Sequence, residues 1–499
     1  MPESTLIAAY RGRWTSDAWR DRIALASPDI RLTYGELAER VESLAGALVA
    51  CGLQPGEIVA LSTARTGDSV VVLLAILFAG GSVCPLETRL SAEEVAKRLA
   101  RIRCRWGLTD ETLGHQFAQV DNEFTVLDRR MLEGSRAAAV TPRHITPDTP
   151  ALTLFTSGST GVPKAVQLNH RAIANNASGL AAHTQLTHDD RLLHVMPIYH
   201  TNGINNQILA PFLAGAQVVF APRFRAADMP GLMAHYRPTL VSGVPTMYSR
   251  MLAHDFPEEA KRSLRMLRCG SAPITPDLQQ RIEDAFGCPV VVSYGLSEAT
   301  CTSTMNPPDG RRIGSVGKPL PNQTVALLHP ERDERMGTGA QGEIAIAGDN
   351  LMSGYLDAAG RPDPTSIASG WLRTGDLGRF DEDGYLFITG RIKDVIIRGG
   401  ENIPPGVIEN VISADRAVES CCVVARPDTD LGEVPVAFVV TRPGAAVDTE
   451  RLMDAVERQL SRIYRPEAIM LVDSLPENSV GKVDRKALAT RVANETSAV

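Results

Sequence analysis

No two cysteines in this chain are spaced C-x-x-C, and only Cys421 and Cys422 of the eight are adjacent. That spacing argues against a disulfide framework or a thiolate metal site. The thiols at 51, 84, 104, 269, 288, 301, 421 and 422 are expected to be buried and reduced. Positive charge is not in surplus either: 51 Lys and Arg face 58 Asp and Glu, a net charge of −7. A balance of this sign excludes a general nucleic-acid or anionic-membrane surface, so any anionic substrate must be met by local positive groups. Long apolar runs are also missing. The longest, residues 70–79, is far short of a bilayer span and predicts a buried helix ended by Gly80-Gly81. Met1-Pro-Glu-Ser-Thr-Leu6 lacks the basic-then-apolar signature of a secretory signal, so a cytoplasmic protein without a membrane segment is expected.

What is present is a chain of 499 residues, 44% hydrophobic and 22% charged, long enough for a large layered domain and a smaller one. Strand and helix signals alternate from the start. Thr33-Tyr-Gly-Glu36 is a capping box, and Tyr34, Leu37, Val41, Leu44 and Leu48 follow it at helical spacing. Gly52 and Pro55 stop that helix, and strands are expected at 57–62, 83–86, 217–220 and 289–293. The alternation predicts an α/β fold with mostly parallel sheets and helices on their faces. From about residue 320 the texture changes to short strands with Gly turns, which suits a small barrel or an antiparallel sheet, and a new α+β pattern begins after Gly390-Arg391. A looser, proline-bearing stretch at 136–150 leads into the first motif.

That motif is Leu154-Phe-Thr-Ser-Gly-Ser-Thr-Gly-Val-Pro-Lys-Ala-Val166. Thr156, Ser157, Ser159 and Thr160 offer hydroxyl donors, Gly158 and Gly161 let backbone N–H groups approach an anion, and Lys164 adds charge. Such a loop suits a polyphosphate. It is not a Walker A loop, because the glycines are too close and no Ser or Thr follows the lysine. At this motif the chain resembles the adenylate-forming superfamily of acyl-CoA synthetases, peptide-synthetase adenylation domains and luciferases, and acyl-CoA synthetases above all.

The other signatures follow in order. In Met196-Pro-Ile-Tyr-His-Thr-Asn-Gly203, the resemblance places His200 between nucleotide and acyl pocket, with Thr201 and Asn202 lining that pocket. Amino-acid-activating relatives usually carry an Asp near here, so an amino-acid substrate is disfavoured. In Arg268-Cys-Gly-Ser-Ala-Pro273, it implies that the Gly270-Ser271-Ala272 backbone packs on adenine. In Ser293-Tyr-Gly-Leu-Ser-Glu-Ala-Thr300, Tyr294 is implied to stack on adenine, Ser297 to touch the α-phosphate and Glu298 to hold Mg²⁺. Gly295, a Trp in acetate-specific relatives, is expected to leave room for a larger acid beside Thr300. Ser293 replaces the Arg of malonate-specific relatives.

Further on, Asp376 in Gly370-Trp-Leu-Arg-Thr-Gly-Asp-Leu377 is implied to accept the ribose hydroxyls, and Arg391 to contact ribose or phosphate. Lys393 stands at the hinge position of the superfamily. Gly399-Gly400-Glu401 matches the loop that swings to the site in thioester-forming relatives, although Pro404-Pro405-Gly406 is a stiffer continuation than usual. Lys482 matches the lysine that the C-terminal domain brings into the active site. The implied division is an N-terminal domain at 1–391, a hinge at 392–394 and a small mobile domain at 395–499.

The chemistry expected is attack of a carboxylate on the α-phosphate of ATP, release of pyrophosphate, and transfer of the acyl group to CoA with release of AMP. Two anions meet in the first step, so positive charge must be concentrated there. Glu298 with Mg²⁺, the hydroxyl loop with Lys164, and Lys482 would supply it. One site serves adenylation and thiol attack poorly, which favours a rotating small domain. The cofactors expected are ATP, Mg²⁺ and CoA, in a monomer or homodimer. An acyl carrier protein is the alternative acceptor, a luciferase-like oxygenase a remote alternative. A nucleotide-binding protein without activity would be expected to lack Glu298, Asp376 or Lys482, and all three are present.

Overall fold

A computed structural model describes residues 5–121, 123–130, 145–156, 163–367, 369–477 and 483–496. The capping box forms as read: the Glu36 N–H donates to Thr33 Oγ1 at 3.2 Å and the Thr33 N–H to Glu36 Oε2 at 2.8 Å. The helix behind it, Tyr34–Ala50, buries Tyr34, Leu37, Val41, Leu44 and Leu48. It packs on helix Gly67–Phe78, whose residues 70–78 are apolar on every face and buried, as a helix between two layers must be. Gly80 ends that run at φ +85°, a conformation that a side chain disfavours. Among the described residues no helix is long and apolar enough to cross a membrane.

Two large sheets make the first layers. In one, parallel strands run in the order Val290–Tyr294, Met266–Cys269, Leu240–Gly243, Arg191–His194, Gln217–Phe220, Ile23–Ala26, with antiparallel strands only at its margins. In the other, Pro150–Thr156, Ser82–Pro85, Ile58–Ser62, Trp106–Thr109 and Thr125–Asp128 are parallel, and the hairpin partner Lys164–Asn169 is antiparallel. The main apolar core lies against both and includes Trp14, Leu37, Leu73, Ile76, Ile204 and Phe212.

Of the two forms left open after residue 320, the structure takes the sheet: Thr324–Leu328, Gln341–Ala347, Leu372–Phe380 and Leu386–Arg391 are antiparallel in that order. The C-terminal part is a further sheet built on the long hairpin Val418–Asp428 and Gly432–Thr441, with helices Pro405–Ser413 and Thr449–Leu460 packed on its own apolar core. The unusual Pro404-Pro405 pair finds a use here. Pro404 caps helix Pro405–Ser413 and Pro405 occupies its first turn, where a missing N–H costs nothing. One expectation fails. Cys51 is exposed, because it caps the C-terminal end of helix Tyr34–Ala50 at the surface, and Cys421 is half-buried; the other six thiols are buried.

Candidate active site

The expected motifs lie where parallel strands end. Gly270 follows strand Met266–Cys269, Tyr294 closes Val290–Tyr294, and the segment to His200 follows Arg191–His194. The carboxyl edge of a parallel sheet is where α/β folds bind ligands, because loops there diverge to opposite faces.

Tyr294 and Arg391 gather around Asp376, the residue expected to accept the ribose hydroxyls. The Tyr294 hydroxyl donates to Asp376 Oδ2 at 2.7 Å, and Arg391 Nε donates to Asp376 Oδ1 at 2.5 Å. Strand pairing sets this up, since Asp376 lies opposite Arg391 in register. Asp376 is only 6% exposed, so its charge is compensated by partners more than by water.

A second group forms around Glu298. The Tyr355 hydroxyl donates to Glu298 Oε1 at 2.8 Å, and Lys164 Nζ lies 4.6 Å from the centroid of the same ring. The Met352 N–H donates to the Glu298 carbonyl at 2.8 Å, which fixes the backbone beneath the carboxylate. Among the described residues the second carboxylate oxygen has no protein partner and no cluster of three or more metal-ligating side chains exists. One half-exposed hard carboxylate beside a lysine fits Mg²⁺ held mainly by phosphate oxygens. Thr156 accompanies Lys164 at the mouth of the hairpin, whereas Ser157, Gly158, Ser159, Thr160 and Gly161 lie outside the described residues.

The segment expected to line the acyl pocket forms an unusual element, the π-helix Asn202–Leu209, which starts directly after His200 and Thr201. Such turns place side chains at function-bearing positions that an α-helix cannot reach. Gly203 is required there, since a Cβ would meet the Pro197 carbonyl oxygen at 1.9 Å. Behind the helix, Asn205 donates to Asn176 at 2.8 Å, and Asn206 to Thr302 Oγ1 at 2.8 Å. The Asn206 amide also reaches Asn202 at 3.4 Å. Thr300, at φ +70°, donates its hydroxyl to the Asn350 carbonyl at 2.7 Å.

The room expected beside Gly295 is occupied by protein. A Cβ there would lie 1.7 Å from the Cys301 carbonyl oxygen and 2.9 Å from Thr302 Cα. The glycine lets two main-chain segments touch, so an indole at this position would begin inside the backbone rather than fill a pocket. Gly295→Ala is therefore expected to lower the melting temperature by a few degrees, matching about 1–3 kcal/mol of overpacking, and to depress turnover of every acid alike. A scanning-calorimetry trace and rates with a long and a short acid check this; a selective gain for short acids would restore the pocket reading.

Other expected groups sit as follows. Gly270 is buried with its Cα facing Ser293 Oγ, 2.6 Å from a built Cβ, and Ser271 follows it at φ +67°. Ala272 continues that turn half-buried, and Ser297 begins a short 3-10 turn that carries Glu298. Lys393 is exposed in the turn Ile392–Asp394 between two strands. Gly399, Gly400 and Glu401 form the exposed tip of a hairpin in the C-terminal part, where the Gly399 N–H donates to the Leu431 carbonyl at 2.7 Å. The structure does not bring that hairpin to the Glu298 group. Lys482 lies outside the described residues.

Three residues of this region carried no role in the sequence reading. Tyr355 links Lys164 to Glu298 but sits in a short, unmarked strand. Arg65 donates to the carbonyls of Met196, Ala221 and His194, each at 2.8 Å, and to His194 Nδ1 at 2.9 Å. His194 Nε2 then donates to the Gly203 carbonyl at 2.8 Å, a tautomer set by its partners. Burial, then the Arg65 charge, holds this imidazole well below its usual pKa and keeps it neutral. The pair thus ties both ends of the segment bearing His200 to the sheet. Arg268 is the third: a guanidinium only 2% exposed, inside an apolar strand, where its charge was a visible anomaly.

Likeness to known proteins agrees with this geometry. The AMP-binding enzyme family matches residues 13–356, and the AMP-binding enzyme C-terminal domain matches residues 407–482. The chain belongs to the AMP-binding enzyme family and is an adenylate-forming acyl-CoA synthetase. It is 33% identical to an indoleacetate–CoA ligase of Aromatoleum aromaticum, over 95% of this chain and 96% of that one. It is 32% identical to an oxalate–CoA ligase of Arabidopsis thaliana, over 94% and 95%. An o-succinylbenzoate CoA synthetase of Bacillus subtilis, solved with its acyl-adenylate intermediate, superposes with a TM-score of 0.82 at 27% identity, covering 98% of each chain.

Proposed function

We propose that the two side-chain groups divide the work of an ATP-dependent acid–thiol ligase. The enzyme converts a carboxylic acid to its acyl-adenylate and passes the acyl group to CoA. The observation that carries the division of roles is the Lys164–Tyr355–Glu298 chain, with the Tyr294–Asp376–Arg391 cluster beginning four residues earlier in the same segment. The Tyr294–Asp376–Arg391 cluster receives the ribose, with Asp376 accepting its hydroxyls. The Lys164–Tyr355–Glu298 chain receives the phosphates: Lys164 offsets their charge, and Mg²⁺ on Glu298 would polarise the α-phosphorus and neutralise the leaving pyrophosphate.

His200, held by the Arg65–His194 tether, separates nucleotide from acid. Thr201, Asn202 and Thr300 border the acid, and Lys482 bridges carboxylate and α-phosphate during adenylation. The protein contributes position and charge more than covalent chemistry. Lys393 then serves as hinge, turning the domain at 395–499 so that the Gly399-Gly400-Glu401 hairpin replaces Lys482 and admits the thiol. CoA is the acceptor in this reading, and the enzyme works as a cytoplasmic catalyst.

Likeness alone does not choose the acid, since an indoleacetate ligase and an oxalate ligase are equally similar. The reading is tested by incubating the enzyme with ATP, Mg²⁺, CoA and a panel of acids. AMP, pyrophosphate and an acyl-CoA are expected in equal amounts. ADP and free phosphate would exclude it, and acylation of a carrier phosphopantetheine with CoA untouched would reassign the acceptor.

A further inference from the structure

Arg268 carries a fully buried guanidinium and Arg65 a partly buried one, and the two are treated differently. Arg65 has an acceptor for each face of its fork and is complete without any ligand. Arg268 has one contact, from a terminal nitrogen to the Asn206 carbonyl at 3.4 Å. Its Nε and its other terminal nitrogen are buried without an acceptor among the described residues. The neighbours felt by its charge are Cys301, Tyr248 and Arg265, with no carboxylate among them. A guanidinium remains protonated here even though burial brings its pKa down to about 10. An ion removed from water without a counter-charge is strongly unfavourable, and replacing it by an apolar side chain would relieve that cost.

The place of this charge indicates what completes it. Strand alternation turns Leu267 and Cys269 into one apolar cluster and sends Met266 and Arg268 toward the opposite face, where the π-helix lies. The guanidinium therefore meets Asn206 of that helix and Cys301 of the segment after Thr300. Asn206 donates to Thr302 Oγ1 at 2.8 Å and to Asn202 Oδ1 at 3.4 Å, and Thr302 Oγ1 donates to the Cys301 sulfur at 3.9 Å, so these residues form one largely buried polar patch. The side-chain oxygen of Asn206 is likewise without a donor among the described residues. This is the wall assigned above to the acid, and the inference rests on that assignment.

We infer that Arg268 receives a second anionic group, a carboxylate or sulfonate at the far end of the acid, so that the enzyme activates dianionic acids in preference to simple monoacids. The planar fork matches either oxyanion bidentately. One carboxylate of the acid is then directed to the α-phosphate while the distal group is anchored. An acid with an apolar far end would leave the guanidinium buried and uncompensated.

The test compares aliphatic dicarboxylic acids of increasing length with their monomethyl esters, with the plain monoacids, and with ω-sulfo acids of matching length. Acid-dependent AMP and pyrophosphate release is measured for the native enzyme, Arg268→Met and Arg268→Lys. At the best length, kcat/KM of the native enzyme should favour the diacid over its monoester by about a hundredfold, the effect of one charged hydrogen-bonded pair. Arg268→Met should bring that ratio close to one, mainly through KM, and Arg268→Lys should retain part of it. The sulfo acids decide which oxyanion is preferred. A native ratio near one at every length overturns the inference, as does a ratio preserved in Arg268→Met while all acids slow together. If Arg268→Met does not fold, the native ratio and Arg268→Lys decide. Release of AMP and pyrophosphate with monoacids only refutes this inference and leaves the ligase reading intact; no release with any acid refutes both.

Discussion

Lys482→Ala is expected to slow acyl-adenylate formation by about a hundredfold or more, the loss typical of one charged donor at a developing charge. Thioester formation from pre-made adenylate should be nearly intact, because on the proposed cycle the C-terminal domain has by then turned Lys482 away. Lys393→Pro should give the opposite split. Proline fixes φ near −65°, and Lys393 lies in the short exposed turn Ile392–Asp394 that joins two strands, where a change of backbone angle would swing everything after it. Adenylation would survive while transfer to CoA fell. Single-turnover runs with purified adenylate and CoA separate the two steps. Equal impairment of both half-reactions by both substitutions would refute domain alternation in this enzyme.

Glu298→Gln should be comparably severe for adenylation, by about a hundredfold. It removes a charge while keeping shape, and Tyr355, which donates to Glu298 Oε1 at 2.8 Å, can still donate to the amide oxygen. The Mg²⁺ concentration giving half-maximal rate should rise with it, since the carboxylate proposed to hold the cation becomes neutral. Tyr355→Phe should cost less, roughly three- to tenfold, on the order of one neutral hydrogen bond, and should raise the Mg²⁺ requirement only slightly. A Mg²⁺ titration of both variants checks this. An unshifted titration for Glu298→Gln would remove Glu298 from the metal role.

Local signals in the sequence proved sound where the physics is local. The Thr33–Glu36 capping box, the apolar run 70–78 of helix Gly67–Phe78 and the turn at Gly80 depend on residues within a few positions of each other. Motif spacing likewise placed Tyr294, Asp376 and Arg391, which the structure joins by hydrogen bonds. Sequence could not show contacts made across the chain. Arg65 reaches His194 over a separation of 129 residues, and Tyr355 reaches Glu298 over 57. Neither leaves a periodicity to read. Gly295 shows a subtler limit: the motif marked it, but whether its missing side chain frees space for substrate or for backbone depends on where Cys301 runs. Arg268 was legible as a charge within an apolar strand; its lack of acceptors was visible only once the strand was packed.

In acyl-adenylate formation one oxygen of the acid attacks the α-phosphorus of ATP. That attack is tested most directly with an acid labelled with ¹⁸O in both carboxylate oxygens, turned over to completion with ATP, Mg²⁺ and CoA. The account predicts one ¹⁸O in the phosphate of AMP, none in pyrophosphate, and one in the carbonyl of the acyl-CoA. Label in pyrophosphate or in free phosphate, or unlabelled AMP beside acyl-CoA, would contradict it.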